Sequence, residues 1–187
     1  YKLTEEFQTF NEFGDAIGIE TRDAVHRKGL WHRSSQVYLF DASAMLLLQQ
    51  RSDQKDLYAG LWTDSVGEHL KPEESHRQGA YRGLYEELKL TGICLYELGE
   101  GFSSDVAHKD FIDREFKQAY SGLIVDKEGI DPDPAEVKSI CWVGKEKLGS
   151  LITSSGSLFC PSFLLDLERL DLINQWDGIV SGLFRKN

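Results

Sequence analysis

A helix predicted over residues 75–89 constrains this chain more than any other feature, because its two faces demand different neighbours. Ser75 and Gln78 form an S-x-x-Q capping box, and Pro72, Glu73 and Glu74 stand just before it. Ala80, Tyr81, Leu84 and Leu88 recur at helical spacing and mark one face for burial. At about 100° per residue the opposite face carries His76, Gly79, Arg82, Gly83, Glu86 and Glu87. Glu86 and Glu87 lie near the helix C-terminus, where the dipole disfavours anions by roughly a few tenths of a kcal/mol. Arg82, one turn earlier, is placed to pair with Glu86. Adjacent carboxylates suit a hard cation, which takes oxygen ligands and shares the rest of its shell with phosphate; a solvated charged face is the alternative. Gly79 and Gly83 each cost about 1 kcal/mol relative to Ala in a helix. They leave room for a ligand or a neighbouring strand to reach the helix backbone.

The segments around this helix read mainly as strands. β-prone runs are predicted at 35–41, 44–50, 61–66, 93–98, 115–125 and 137–143. The Asp131–Pro134 stretch separates the last two. Residues 51–61, with Arg51, Lys55 and Gly60, read as a functional-length loop. A final helix is predicted over about 162–175. Residues 1–14 are polar and aromatic and are expected to pack loosely as an N-terminal extension. A helix set between early and late strands predicts an α/β sandwich on a mixed sheet.

The 187 residues suit a single domain, with residues 160–187 forming a C-terminal helical segment. The net charge of −10 argues against a basic nucleic-acid footprint, so no nucleic acid polymer is expected as a partner. No apolar run reaches the length of a membrane span, and no membrane association is expected. Cys94, Cys141 and Cys160 are widely spaced and odd in number, and read as buried reduced thiols of a cytoplasmic protein. Oligomeric state is left open.

The segment from Gly67 resembles the Nudix box, G-x5-E-x7-R-E-U-x-E-E-x-G-U, where U is aliphatic. Gly67 is followed by Glu74 with one extra residue between them. Seven residues then lead to Arg82, Gly83, Leu84, Tyr85, Glu86, Glu87, Leu88, Lys89 and Leu90. Gly83 stands at a box glutamate and Lys89 at the box glycine. Val25-His26-Arg27, Gly29 to Arg33, Leu47 to Ser52, Lys55, Gly60-Leu61-Trp62, Trp62 to Val66 and His69 are similar to the Nudix branch of isopentenyl-diphosphate isomerase. The similarity runs from about residue 15 to about residue 165. It implies a Nudix α/β/α sandwich with Mg²⁺ or Mn²⁺ held by Glu86, Glu87 and the Gly67 carbonyl, with Glu74 as a further candidate. It also implies a small-molecule diphosphate gripped by Arg51 and Lys55, whose charges suit phosphate oxygens.

A second metal site is implied by the same resemblance. His26, His32 and His69 would join Asp113 and Glu115, which strand alternation puts on one face. Imidazole and carboxylate ligands together suit Zn²⁺, Mn²⁺ or Fe²⁺. Histidines that only hydrogen-bond within the domain are the alternative.

For isomerase chemistry the branch uses a cysteine and a glutamate that flank the double bond, and a tryptophan beside the cation. The resemblance places these at Gly67, Glu115 and Ser162, so the thiol and the indole are absent. Glu86, Glu87 and Glu115 are the candidate catalytic residues, with Glu136 an alternative base. Three functions are expected in order: a metal-dependent hydrolase of a diphosphate-linked substrate, an isoprenoid-diphosphate isomerase or binder, and a catalytically weak binding module.

Overall fold

The computed structural model describes residues 5–108 and 111–186. Its frame is one mixed sheet. The central strands are β3 (Trp31–Asp41) and β9 (Phe111–Ile124), paired in parallel from Trp31↔Arg114 to Asp41↔Ile124. Around them lie β1 (Glu6–Phe10), β2 (Ala16–Thr21), β4 (Leu46–Arg51), β5 (Trp62–Thr63) and β6 (Val66–His69). The later strands are β7 (Leu95–Glu97), β8 (Phe102–His108) and β10 (Val137–Val143). The other pairings between these strands are antiparallel.

Alternation along β3 divides the core. Val37 and Leu39 point to helix α2 (His76–Leu88), where they meet Ala80, Leu84 and Leu88. Tyr38 and Phe40 point the other way, toward α4 (Pro161–Arg169) and α5 (Leu172–Lys186), and join Phe163, Leu167 and Trp176. A fourth helix, α3 (Lys145–Ser155), adds Leu148 to this second cluster. A sheet clad on both faces is the expected α/β/α sandwich.

Helix α2 forms as its sequence predicts. Ser75 accepts from the Gln78 amide, and Gln78 Oε1 accepts from the Ser75 amide at 2.9 Å. Its buried face differs from the expected one at four positions: Tyr81 is 39% exposed, while Gly79, Gly83 and Glu87 are covered. The two glycines serve the strand reading. A Cβ on Gly79 would lie 3.0 Å from Leu70 Cδ1, and one on Gly83 would lie 2.7 Å from Val66 Cγ1. The helix therefore rests close on β6. It ends at Lys89, which takes the left-handed φ of 57° where the family pattern has glycine. Its amide bonds the Leu84 and Tyr85 carbonyls, offsetting part of the strain.

Other expectations are corrected. Part of the N-terminal segment packs firmly: Glu6–Phe10 joins the sheet as β1, and Phe7 is 1% exposed, while residues 1–4 lie outside the described residues. The C-terminal segment holds two helices rather than one, and α1 (Arg22–Lys28), β2, β8 and α3 were not foreseen. Only Cys160 is fully buried, with Cys141 half-buried and Cys94 exposed; all three are free thiols. Among the described residues no helix is long and apolar enough to cross a membrane.

Candidate metal and diphosphate site

The box carboxylates gather at the C-terminal half of α2. Arg82 organises them. Its guanidinium donates to Glu74 at 2.9 and 2.8 Å and to the His69 carbonyl at 2.7 Å. It also pairs with Glu68 at 3.0 Å and with Glu86 at 3.4 Å. Glu74 thus serves as an anchor for Arg82 and for the Lys71 amide. Glu87 is buried and accepts from Gln49 Nε2 at 2.6 Å. Burial, then the charge of Glu68, push Glu87 well above the ordinary carboxylate range, against the Gln49 bond. Burial likewise raises Glu68 to about 7, against the attraction of Arg82. Buried carboxyls whose ionisation is disfavoured by burial and by one another fit a site for a divalent cation, which would favour their ionised forms. Gly67 is exposed on β6 between Val66 and Glu68.

Arg51 and Lys55 follow β4 into the loop, and each already has a protein partner. Arg51 Nε donates to the Leu57 carbonyl at 3.0 Å, and its charge acts on Asp64, Tyr58 and Cys160. Lys55 pairs closely with Glu136, and its charge acts on Glu87. The two cations therefore approach the box carboxylates and the opposite sheet face separately.

The histidines do come together. His26 from α1, His32 from β3, His69 from β6 and Asp113 from β9 each place a ligand atom within 4.8 Å of the others. His26 Nδ1 bonds the Arg22 carbonyl at 3.0 Å, and His32 Nδ1 bonds the Leu30 carbonyl at 3.1 Å. A carbonyl only accepts, so each Nδ1 carries a proton, and in a neutral ring each Nε2 presents a lone pair. Both Nε2 atoms face Asp113 Oδ1, at 3.6 and 3.5 Å, and all three atoms are buried without a hydrogen-bond partner. Three converging acceptors with no donor fit a metal ion, and backbone-fixed tautomers are the usual support of such ligands. His69 is poised differently. Its Nδ1 accepts from Arg22 at 3.0 Å, so Nε2 keeps the proton and faces Glu115 Oε1 at 3.4 Å. It would ligate through Nε2 only after giving up that proton. Burial holds His69 well below the ordinary imidazole range, and His32 is lowered for the same reason. Phe7 stacks on His32 and His69 at 5.2 and 4.9 Å, so β1 closes the pocket from above.

Sequence reasoning missed the cation at the floor of this pocket. Lys117 is buried and binds Asp166 at 3.1 and 2.8 Å and Glu115 at 3.1 Å. Burial would raise Glu115, but Lys117 and His69 outweigh it and hold Glu115 well below its usual range. The signal was available: Asp113, Glu115 and Lys117 share one strand parity.

Asp64 was also overlooked. It is 4% exposed, and its Oδ1 lies 3.3 Å from where a Cβ on Gly67 would stand. Burial, then the charge of Asp166, raise it to about 7. The folded protein thus keeps a proton that the unfolded chain sheds near pH 4, so this group lowers stability as pH rises from about 4 to 7. Asp64→Asn is expected to flatten that slope and to stabilise the fold at pH 8 by on the order of 2 kcal/mol. Urea unfolding at pH 5 and pH 8 reads this directly, and equal stability differences at the two pH values would exclude it.

The NUDIX domain family model matches residues 30–157, more than half of the chain. The chain belongs to the Nudix family. Its curated relatives include isopentenyl-diphosphate Delta-isomerases. That of Serratia proteamaculans is 33% identical over 156 residues, covering 83% of this chain and 86% of the relative. Isomerase 1 of Mus musculus is 30% identical over 202 residues, covering 95% of this chain and 86% of the relative. The solved structure of the DR0079 protein from Deinococcus radiodurans shares the fold, with a TM-score of 0.66 at 18% identity over 81% of this chain and 90% of that one.

Proposed function

We propose that this chain is a divalent-metal-dependent hydrolase that cleaves a diphosphate linkage in a small molecule. Gly67 carries the reading: the metal-facing carboxylates are kept, while the position of the branch's thiol holds no side chain. Glu86, Glu87 and the Gly67 carbonyl would hold Mg²⁺ or Mn²⁺, which supplies charge neutralisation and orients the phosphates. Arg51 and Lys55 bind the remaining phosphate oxygens, with Lys55 exchanging Glu136 for the substrate. Glu136, once released, is the carboxylate placed to accept a proton from the attacking water. Glu115 suits that task less, because Lys117 and His69 hold it well below the usual carboxylate range and so weaken it as a base. We assign Glu115 to the histidine side, where it sets the charge around His26, His32, His69 and Asp113.

A second reading, an isoprenoid-diphosphate isomerase or binder, is favoured by one observation: the histidine cluster is assembled with His26 Nε2, His32 Nε2 and Asp113 Oδ1 lacking hydrogen-bond partners. A panel of nucleoside and isoprenoid diphosphates, incubated with Mg²⁺ or Mn²⁺, separates the two. Metal-dependent phosphate release is expected from at least one compound and should vanish in Glu86→Gln/Glu87→Gln. Tight diphosphate binding with no release from any compound would leave a binding module instead.

A further inference from the structure

The family pattern puts a glutamate directly after the box arginine, and this chain has Gly83 there. The space that side chain would need is taken. A Cβ on Gly83 would lie 2.7 Å from Val66 Cγ1, 3.0 Å from Glu68 Cβ and 3.4 Å from Glu68 Cγ. What fills the place is Val66 together with the Cβ and Cγ of Glu68, a glutamate arriving from the facing strand. Alternation along β6 turns Glu68 toward α2, while its neighbours Gly67 and His69 face the histidine side.

We propose that Glu68 supplies from β6 the carboxylate that the box helix lacks at Gly83, so that the metal-facing acidic set of this chain is Glu68, Glu86 and Glu87. The inference rests on the reading above that the box carboxylates hold a divalent cation. Glu68 has little solvent, with a side chain 12% exposed. Its close cation is Arg82, which also serves Glu74, Glu86 and the His69 carbonyl. One guanidinium thus faces three carboxylates, and a fourth, Glu87, feels Glu68 as its strongest charged neighbour. Lys71 reaches Glu86 only at 3.7 Å from an exposed position, and Lys55 is engaged by Glu136. Among the described residues four carboxyls thus crowd about one guanidinium beside Gly67, and the burial of Glu68 and Glu87 makes their joint ionisation costly. A bound divalent ion would offset that cost. Moving a carboxylate from helix to strand also explains why the helix carries a glycine at this position: with a Cβ at residue 83, Glu68 could not keep its place.

Calorimetric titration of Mg²⁺ into the whole protein tests the assignment. Mg²⁺ takes oxygen ligands, so the imidazole cluster contributes little heat. Three proteins are compared: wild type, Glu68→Gln and Glu86→Gln/Glu87→Gln. Glu68→Gln is expected to weaken Mg²⁺ binding by at least the roughly tenfold that even an outer partner of a metal ligand contributes. Should thermal melting show that the amide variant is unfolded, Glu68→Asp makes the same comparison, because it keeps the charge and withdraws it by one methylene. If the double variant loses Mg²⁺ and the Glu68 variants bind it as wild type does, the role of Glu68 is overturned while the helix site stands. If the double variant also binds as wild type does, or if wild type binds no Mg²⁺, the metal reading itself falls.

Discussion

Lys117→Met is expected to destabilise the protein by about 3–5 kcal/mol, the usual consequence of leaving buried carboxylates without their cation. Lys117 Nζ holds Asp166 of α4 and Glu115 of β9, and all three side chains are nearly inaccessible, at 2%, 3% and 6% exposure. Methionine fills the volume and keeps the stem, so the loss reads the charge rather than a cavity. The pH dependence gives a second signature. In wild type, Glu115 sits well below its ordinary range, so its contribution is present above the unfolded value and lost as pH falls. Asp166 is already raised to about 6 by burial, even with Lys117 beside it. Without Lys117 both carboxyls rise further, and the folded state binds protons that the unfolded chain does not. The variant should therefore gain more stability than wild type does on acidification from pH 8 to pH 5. Urea denaturation at the two pH values measures this, and a loss below about 1 kcal/mol at pH 8 would show that the triad is not a structural ion pair. Asp166→Leu added to Lys117→Met should recover part of the loss, since one orphaned charge is then removed.

What the sequence disclosed follows from how local each signal is. Helix α2 was legible because cap, apolar stripe and charged face all lie within fifteen consecutive positions. Strand β10 was legible because its β-prone run follows directly on the Asp131–Pro134 breaker. The short α1 and β2 carry few periods and lean on partners distant in the chain. Thr21 caps α1, but seven residues make a weak pattern. The histidine cluster was reached only through family resemblance, since His26, His32, His69 and Asp113 arrive from four elements. The exchange of Gly83 for Glu68 was invisible in one dimension. It needs the facing of α2 and β6, and the box pattern alone reports it as a lost glutamate. Lys117 escaped notice because lone lysines are usually solvated, and only the parity with Asp113 and Glu115 hinted otherwise.

Isopentenyl diphosphate is expected not to be converted to dimethylallyl diphosphate at a meaningful rate. An allylic proton shift needs an acid on one face of the alkene and a base on the other, each within hydrogen-bond reach of carbon. Glu115 is present, but Lys117 and His69 hold it firmly anionic, which makes it a weak base toward carbon. On the opposite side Gly67 offers no side chain. The nearest titratable group there is Asp64, whose Oδ1 is 3.3 Å behind the missing Cβ, accepts from Thr63 at 3.0 Å and is 4% exposed. Ser162 lies one turn before Asp166 on α4, so it shares the face that looks onto Lys117 and Glu115, yet it has no π-face for a developing cation. Gas-phase or radiometric detection of dimethylallyl diphosphate with Mg²⁺ and Mn²⁺ supplied is the measurement. Gly67→Cys with Ser162→Trp should raise the rate above either change alone, because acid and cation stabiliser act on the same transition state. Efficient conversion by the unaltered protein would overturn this reading. If Asp64→Asn then abolished that activity, the buried carboxyl rather than a thiol would be the proton donor, and the hydrolase assignment would give way to an isomerase with a relocated acid.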